Sequence, residues 1–260
     1  MKMTKPSNLL IANWKMSLSV KQTLALTKAL LKGVSNLGKF LDFSLVLCPT
    51  FPALSAVGTL LKKPANIYLG AQDVFWKGHG PYTGEVSAEI LSELGVKYVI
   101  VGHSERRQYL KETDDMIRHK VMAALQYNLT PVLCLGETYA QRQAGQRDAV
   151  LHQQLSRDLA GFSLTGQQNL VIAYEPVWAI GSGKAVSQSD MLQAAEVIEQ
   201  GLRQMWPSET VSRQVRIIYG GSVDDTNIKT CLNQGRLNGA LVGGASLQAA
   251  GFIKLLRQVA

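Results

Sequence analysis

A lysine, a histidine and a carboxylate in this chain stand among residues whose types could together move a proton on a small molecule. Lys15 closes the run Asn13-Trp14-Lys15, His103 lies in Gly102-His103-Ser104-Glu105-Arg106-Arg107, and Glu175 is followed by Pro176. A carboxylate such as Glu175 could take a proton from carbon. His103 and Lys15 could then stabilise the negative charge that develops on a neighbouring carbonyl oxygen. In two further runs, Gly220-Gly221-Ser222 and Gly243-Gly244-Ala245-Ser246, the glycine pairs lack Cβ atoms, so that the backbone could approach a ligand closely. A short segment starting near Ala245 could add the positive end of a helix dipole, so a phosphorylated metabolite is the leading ligand. No metal-ligand cluster, Schiff-base context or nucleotide fingerprint accompanies these residues. Chemistry by side chains alone is therefore expected, with no cofactor and no metal, and proton transfer beside a carbonyl meets those limits. Each residue has a plainer use: Lys15 as a surface lysine, His103 as a hydrogen-bonded structural histidine, Glu175 as a helix cap or half of an ion pair. Their convergence on one site decides between the two uses.

Convergence requires a fold that brings distant strand ends together. Compact apolar runs recur along the chain at Leu9–Asn13, Ser44–Cys48, Ile67–Ala71, Tyr98–Gly102, Val132–Leu135, Leu170–Tyr174, Val215–Tyr219 and Ala240–Val242. They are continuous rather than alternating, as expected of parallel strands covered by helices. Helical patterns lie between them. Lys21–Lys32 gathers Leu24, Leu31 and neighbouring apolar residues on one face, and Asp114–Asn128 does so with Ile117, Val121 and Leu125. Tyr139–Leu159 and Asp190–Met205 are longer, with Thr113 and Ser189 or Asp190 as candidate caps. Strand then helix, eight times over, predicts an α/β chain folded as a single (β/α)8 barrel spanning residues 1–260. A doubly wound open sheet is the rival, but no Gly-x-Gly-x-x-Gly follows an early strand. In such a barrel the active site forms at the C-terminal strand ends, where all of the residues above fall, and phosphate commonly binds after strands seven and eight.

Composition narrows the partners. Of 260 residues, 46% are hydrophobic and 18% charged, the balance of an ordinary globular chain. No apolar run reaches the length of a membrane span, and Leu9–Ala12 is too short for a signal-peptide core. The net charge of +8 is scattered: Lys62-Lys63 and Arg106-Arg107 are only pairs, without interleaved aromatics, so nucleic acid is not expected as a partner. Cys48, Cys134 and Cys231 are odd in number and far apart, which suits free buried thiols in a reducing cytoplasm.

Five segments, in order from the first strand to the last, resemble the triosephosphate isomerase family. They are Asn13-Trp-Lys15, Gly102-His-Ser-Glu-Arg-Arg107, Ala173-Tyr-Glu-Pro-Val-Trp-Ala-Ile-Gly-Ser-Gly-Lys184, Tyr219-Gly-Gly-Ser-Val223 and Gly239-Ala-Leu-Val-Gly-Gly-Ala-Ser-Leu247. This family is itself a standard example of tuned acid–base catalysis. The resemblance implies interconversion of dihydroxyacetone phosphate and D-glyceraldehyde 3-phosphate through an enediolate, in glycolysis and gluconeogenesis. By it, Glu175 is the base, His103 a neutral imidazole that polarises the carbonyl, and Lys15 the positive charge beside the substrate oxygens. Asn13 holds substrate, Glu105 orients Lys15, Arg106 is a structural ion-pair member, and the backbone of Gly181, Ser222, Gly243 and Gly244 binds phosphate. Pro176 to Val186 resembles the closing lid, with Trp178 held alternately by Tyr174 and Glu137, and Tyr219 and Ser222 latching the closed state.

The loop from Gln72 to Ser87 resembles the one that places Thr83 beside Lys15 of a second subunit, implying a homodimer. Were it only a surface loop, Val74, Phe75 and Trp76 would be oddly exposed. The chain departs from the family pattern at Ser182 and Ala185-Val186 of the lid, and at Asp73 and Pro81-Tyr82 of the dimer loop. Those changes bear on lid kinetics and interface strength rather than on Glu175, His103 or Lys15. Two rivals remain. Another sugar-phosphate enzyme on this fold would need a Schiff-base lysine deep in a strand or a different acid–base pair. A binding protein with a decayed site would not be expected to retain all three residues.

Overall fold

A computed structural model describes residues 8–37, 43–61, 66–180, 186–232 and 235–259. Its strands are β1 (Asn8–Asn13), β2 (Phe43–Cys48), β3 (Ile67–Ala71), β4 (Tyr98–Val101), β5 (Thr130–Leu135), β6 (Leu170–Tyr174), β7 (Val215–Tyr219) and β8 (Gly239–Val242). All pair in parallel, each with the next, and β8 returns to β1 to close a barrel. The strands fall within a residue or two of the apolar runs read from the sequence. The helices are α1 (Val20–Ser35), α2 (Leu54–Leu60), α3 (Ala88–Glu93), α4 (Ser104–Tyr109), α5 (Asp114–Gln126) and α6 (Tyr139–Gln143), then α7 (Arg147–Asp158), α8 (Gln188–Met205), α9 (Ser208–Gln214), α10 (Ile228–Leu232) and α11 (Ala249–Arg257).

The strands are mostly apolar because both of their faces are largely buried. In β1, Leu9 and Ile11 point into the barrel with Val46, Cys48, Ile100, Val132, Cys134, Val171, Ala173, Ile218 and Leu241. Leu10 and Ala12 point outward, into the layer shared with the helices. Cys48 and Cys134 thus pack inside the barrel and Cys231 in the outer layer, all three as free thiols. Burial pushes the Cys48 and Cys134 thiols well up and the Cys231 thiol to about 12, so each stays protonated and behaves as a small apolar group. No described helix is long and apolar enough to cross a membrane.

The helices correct the sequence reading at three points. The expected helix from Tyr139 to Leu159 is two, α6 and α7, separated at Gly145, whose φ of +68° ends the first turn of chain in the left-handed region. The cap of α8 is Ser187, not Ser189 or Asp190: its hydroxyl accepts the Asp190 N–H at 3.1 Å. On α1 the buried stripe is Thr23, Leu26, Thr27, Leu30 and Val34, with Leu24 and Leu31 at its margin. Thr113 caps α5 as expected, and Ile117, Val121 and Leu125 form its buried face.

Closure depends on backbone contact at the β8–β1 seam. Gly239 pairs with Leu9, and a Cβ there would lie 1.9 Å from the Leu9 carbonyl oxygen. Gly239→Ala is therefore expected to cost at least about 2 kcal/mol, read as a lower midpoint in denaturant unfolding. An unchanged midpoint would mean the seam can part without loss.

Candidate active site

The C-terminal rim of the barrel holds a cavity of about 310 Å³ lined by Asn13, Lys15, His103, Ile180, Gly220, Gly221, Ser222, Gly243 and Gly244, among others. Lys15 follows β1 in the left-handed region, at φ +49°, where a non-glycine residue needs support. The support is local and distant. Its N–H donates to Asn13 Oδ1 at 3.0 Å, and the Gln72 amide donates to its carbonyl at 2.9 Å and to that of Cys48 at 2.9 Å. Its ammonium lies 2.5 Å from Glu105 Oε1.

His103 is nearly buried and caps α4, its Nδ1 accepting the Glu105 N–H at 3.2 Å. An acceptor at Nδ1 leaves the ring's proton on Nε2, and a second proton on Nδ1 would displace that bond. Nε2 is the nitrogen nearer Glu175, 3.2 Å from Oε1. The Glu175 carboxylate is 2% exposed, and its other oxygen accepts the Ser104 N–H at 2.9 Å. Oε1 itself has no hydrogen-bond partner among the described residues. Glu175 does not line the cavity that holds Lys15. It lines an adjoining one of about 540 Å³ with Ser104, Gly136, Val177 and Trp178. Between the two stands Gly220, where a Cβ would come within 2.9 Å of Glu175 Cγ.

The opposite wall is backbone. Gly243 and Gly244 open a single 3-10 turn whose carbonyls accept the Ser246 and Leu247 N–H groups, which leaves the amide end of the turn at the cavity. Gly221 packs under the Tyr219 ring, a Cβ there falling 2.2 Å from the Tyr219 hydroxyl. Ser222 lines the cavity beside it, its carbonyl held by Asn227 Nδ2 at 3.0 Å.

A family model for triosephosphate isomerase matches residues 8–259. The chain belongs to the triosephosphate isomerase family. It is 42% identical to triosephosphate isomerase of Dictyoglomus turgidum over 250 residues, covering 96% of this chain and 98% of that one. With the Alkaliphilus metalliredigens enzyme it shares 41% over 254 residues, 98% of this chain and 99% of the relative. The crystal structure of triosephosphate isomerase from Bartonella henselae superposes with a TM-score of 0.84 at 34% identity, over 96% of this chain and 97% of that one.

The family members expected around the site fall as follows. Asn13, Lys15, His103, Ser222, Gly243 and Gly244 share one cavity. Gly181 lies outside the described residues, as do Ser182, Gly183 and Ala185 of the lid. The start of the lid is described: Trp178 Nε1 donates to Glu137 Oε1 at 2.8 Å, and the Tyr174 hydroxyl donates to the same carboxylate at 3.3 Å. The Arg142 guanidinium stacks 5.3 Å from the Trp178 ring. Arg106 is an ion-pair member, bridging Asp73 at 2.8 Å and Glu112 at 2.6 Å. In the Gln72–Ser87 loop Val74 is buried, while Phe75 stacks on Trp76 at 4.2 Å and on Tyr82 at 4.8 Å. Thr83 is exposed beyond them. The sequence reading missed Gln72, which no motif distinguishes from any polar loop residue; its spacing from β3 is the one signal, since it directly follows a strand end. It also missed the Ser104 amide, because a backbone donor leaves no mark on residue type.

Gln72→Leu removes both bonds to the Lys15 and Cys48 carbonyls. We expect a loss of about 1 to 3 kcal/mol in unfolding free energy. Wild-type stability in that variant would mean that Lys15 keeps its conformation unaided.

Proposed function

We propose that this chain interconverts dihydroxyacetone phosphate and D-glyceraldehyde 3-phosphate by proton transfer at Glu175. The carboxylate takes a proton from the hydroxymethyl carbon of the ketone, and the C–H electron pair becomes the C=C bond of an enediolate while the carbonyl electrons move onto oxygen. The Lys15 ammonium and the His103 Nε2–H stabilise that oxygen, and His103 passes a proton between the two oxygens. Return of the proton from Glu175 to the neighbouring carbon gives the aldehyde. The observation that carries this reading is the meeting of Lys15, Asn13 and His103 in one cavity, with Glu175 3.2 Å from His103.

Substrate phosphate binds the backbone of Ser222, Gly243 and Gly244 with Gly181 of the lid. The position of Glu175 on the Ser104 amide suits a resting state. Reaching substrate asks the carboxylate to swing past Gly220 as the lid closes, with Trp178 leaving Glu137 and Tyr219 and Ser222 holding the closed lid. The chain works as one barrel domain without cofactor or metal, in the cytoplasm, within glycolysis and gluconeogenesis. It acts as a homodimer in which Thr83 reaches a second subunit beside Lys15. The exposed Thr83 loop and the 92% exposed Met16 next to Lys15 support that pairing.

Two experiments test this. Glu175→Gln should lower kcat on dihydroxyacetone phosphate by about a hundred- to ten-thousand-fold, while affinity for inorganic phosphate stays unchanged. A variant within a few fold of wild type would remove Glu175 as the base. Thr83→Arg should shift sedimentation from dimer to monomer and reduce turnover with it, and a dimer that survives the change would place the interface elsewhere.

A further inference from the structure

The rim of β5 poses a backbone problem that one distant side chain answers. The β4–β5 ladder ends at the pair Val101 and Leu133, and β5 itself ends at Leu135. Beyond it, the chain stays bonded to the β6 side: the Glu175 N–H donates to the Leu135 carbonyl at 2.7 Å, and the Val177 N–H to the Glu137 carbonyl at 3.1 Å. Among the described residues, no strand lies beside Gly136, between them, for its own polar groups. The Gln154 carboxamide on α7 takes both. The Gly136 N–H donates to Gln154 Oε1 at 2.9 Å, and Gln154 Nε2 lies 3.4 Å from the Gly136 carbonyl. An amide side chain thus stands in for the missing strand.

The position of Gly136 sets two things at once. Its backbone lies directly on that of Glu175: a Cβ at Gly136 would fall 1.6 Å from the Glu175 carbonyl oxygen and 2.5 Å from its carbonyl carbon. The next residue is Glu137, whose buried carboxylate holds Trp178 and Tyr174. A shift of Gly136 therefore moves the backbone that carries Glu175 and the acceptor that anchors the start of the lid. Gln154 touches neither the Lys15 cavity nor the glycine turns; it lines the cavity behind Glu175.

We propose that Gln154 is a positioning residue for the isomerisation, fixing Glu175 and the Trp178 anchor through Gly136. The assignment rests on the reading of Glu175 as the base. Its signature is a loss in kcat rather than in KM, because Gln154 and Gly136 line the cavity behind Glu175 and not the one lined by the glycine turns, whereas a misplacement of about 1 Å in a reacting group can cost up to a hundredfold.

The test is steady-state turnover of dihydroxyacetone phosphate by two full-length variants. Gln154→Met keeps the length of the side chain and loses both bonds. Gln154→Glu keeps an acceptor for the Gly136 N–H. The expected result is a kcat lowered about tenfold in the Met variant with KM within twofold of wild type, and most of that loss recovered in the Glu variant. A Met variant with lower thermal stability but wild-type kcat would reduce Gln154 to a structural tie and overturn the proposal. So would equal losses in the Met and Glu variants. If the Met variant does not fold, Gln154→Ala replaces it, with the same two outcomes deciding. An inactive wild type would instead overturn the functional reading on which the proposal rests.

Discussion

A parallel ladder closed into a barrel uses up backbone hydrogen bonds along its length and runs out of them at its rim. That shortage shapes the C-terminal end of this molecule. Where the ladder stops, the peptide groups of the next residues need partners from elsewhere, since a buried unpaired group costs on the order of 1–3 kcal/mol. Gln72 supplies the Lys15 and Cys48 carbonyls, Arg107 those of Gly102 and Cys134, and Gln154 both groups of Gly136. Where amides are left at the rim instead, as at Ser104 and the turn after β8, an anion is the natural partner. Ser104 has the Glu175 carboxylate.

The segment after β4 concentrates this bracing. Glu105, Arg106 and Arg107 point in three directions: to Lys15 after β1, to Asp73 after β3 and Glu112, and to Asp114 at the start of α5 and Asp158 at the end of α7. Lys120, almost wholly buried on α5, completes the middle group through Asp73 and Glu112. Holding a buried lysine and a half-buried arginine against two buried carboxylates gains little net stability over an apolar core, since desolvation offsets most of the attraction. Burial pushes the Asp73 carboxyl up despite its two cationic neighbours. Such a group holds geometry rather than adding much stability, and the geometry it holds joins the Thr83 loop to the residues that flank His103.

Much of this was legible in the residues. The eight strands were readable because most of their residues are apolar on both faces, which marks a strand covered by helices. Lys15, His103 and the glycine turns were readable because polar residues and Gly-Gly pairs follow apolar strands. Less legible were the breaks and caps. Gly145 inside a helical pattern reads as a tolerated glycine until its positive φ is seen, and Ser187, Ser189 and Asp190 are equally good caps by type. Gln154 was invisible, because a glutamine on an amphipathic helix has no sequence mark that separates a solvated amide from one bonded to a strand end.

What the sequence by itself determined is the barrel, the family and the identity of the groups at the strand ends, since local hydrophobic pattern and residue type follow from the order of side chains alone. Tertiary structure decided which of those groups meet. Lys15 and Glu105 are 90 positions apart, and Ser104 and Glu175 are 71 apart, yet both pairs are in hydrogen-bond contact. It also decided that Glu175 rests on the Ser104 amide behind Gly220 rather than in the cavity with Lys15. The reason is physical: a side chain's type is set by its codon, but its distance to a partner is set by the closure and register of strands far apart along the chain.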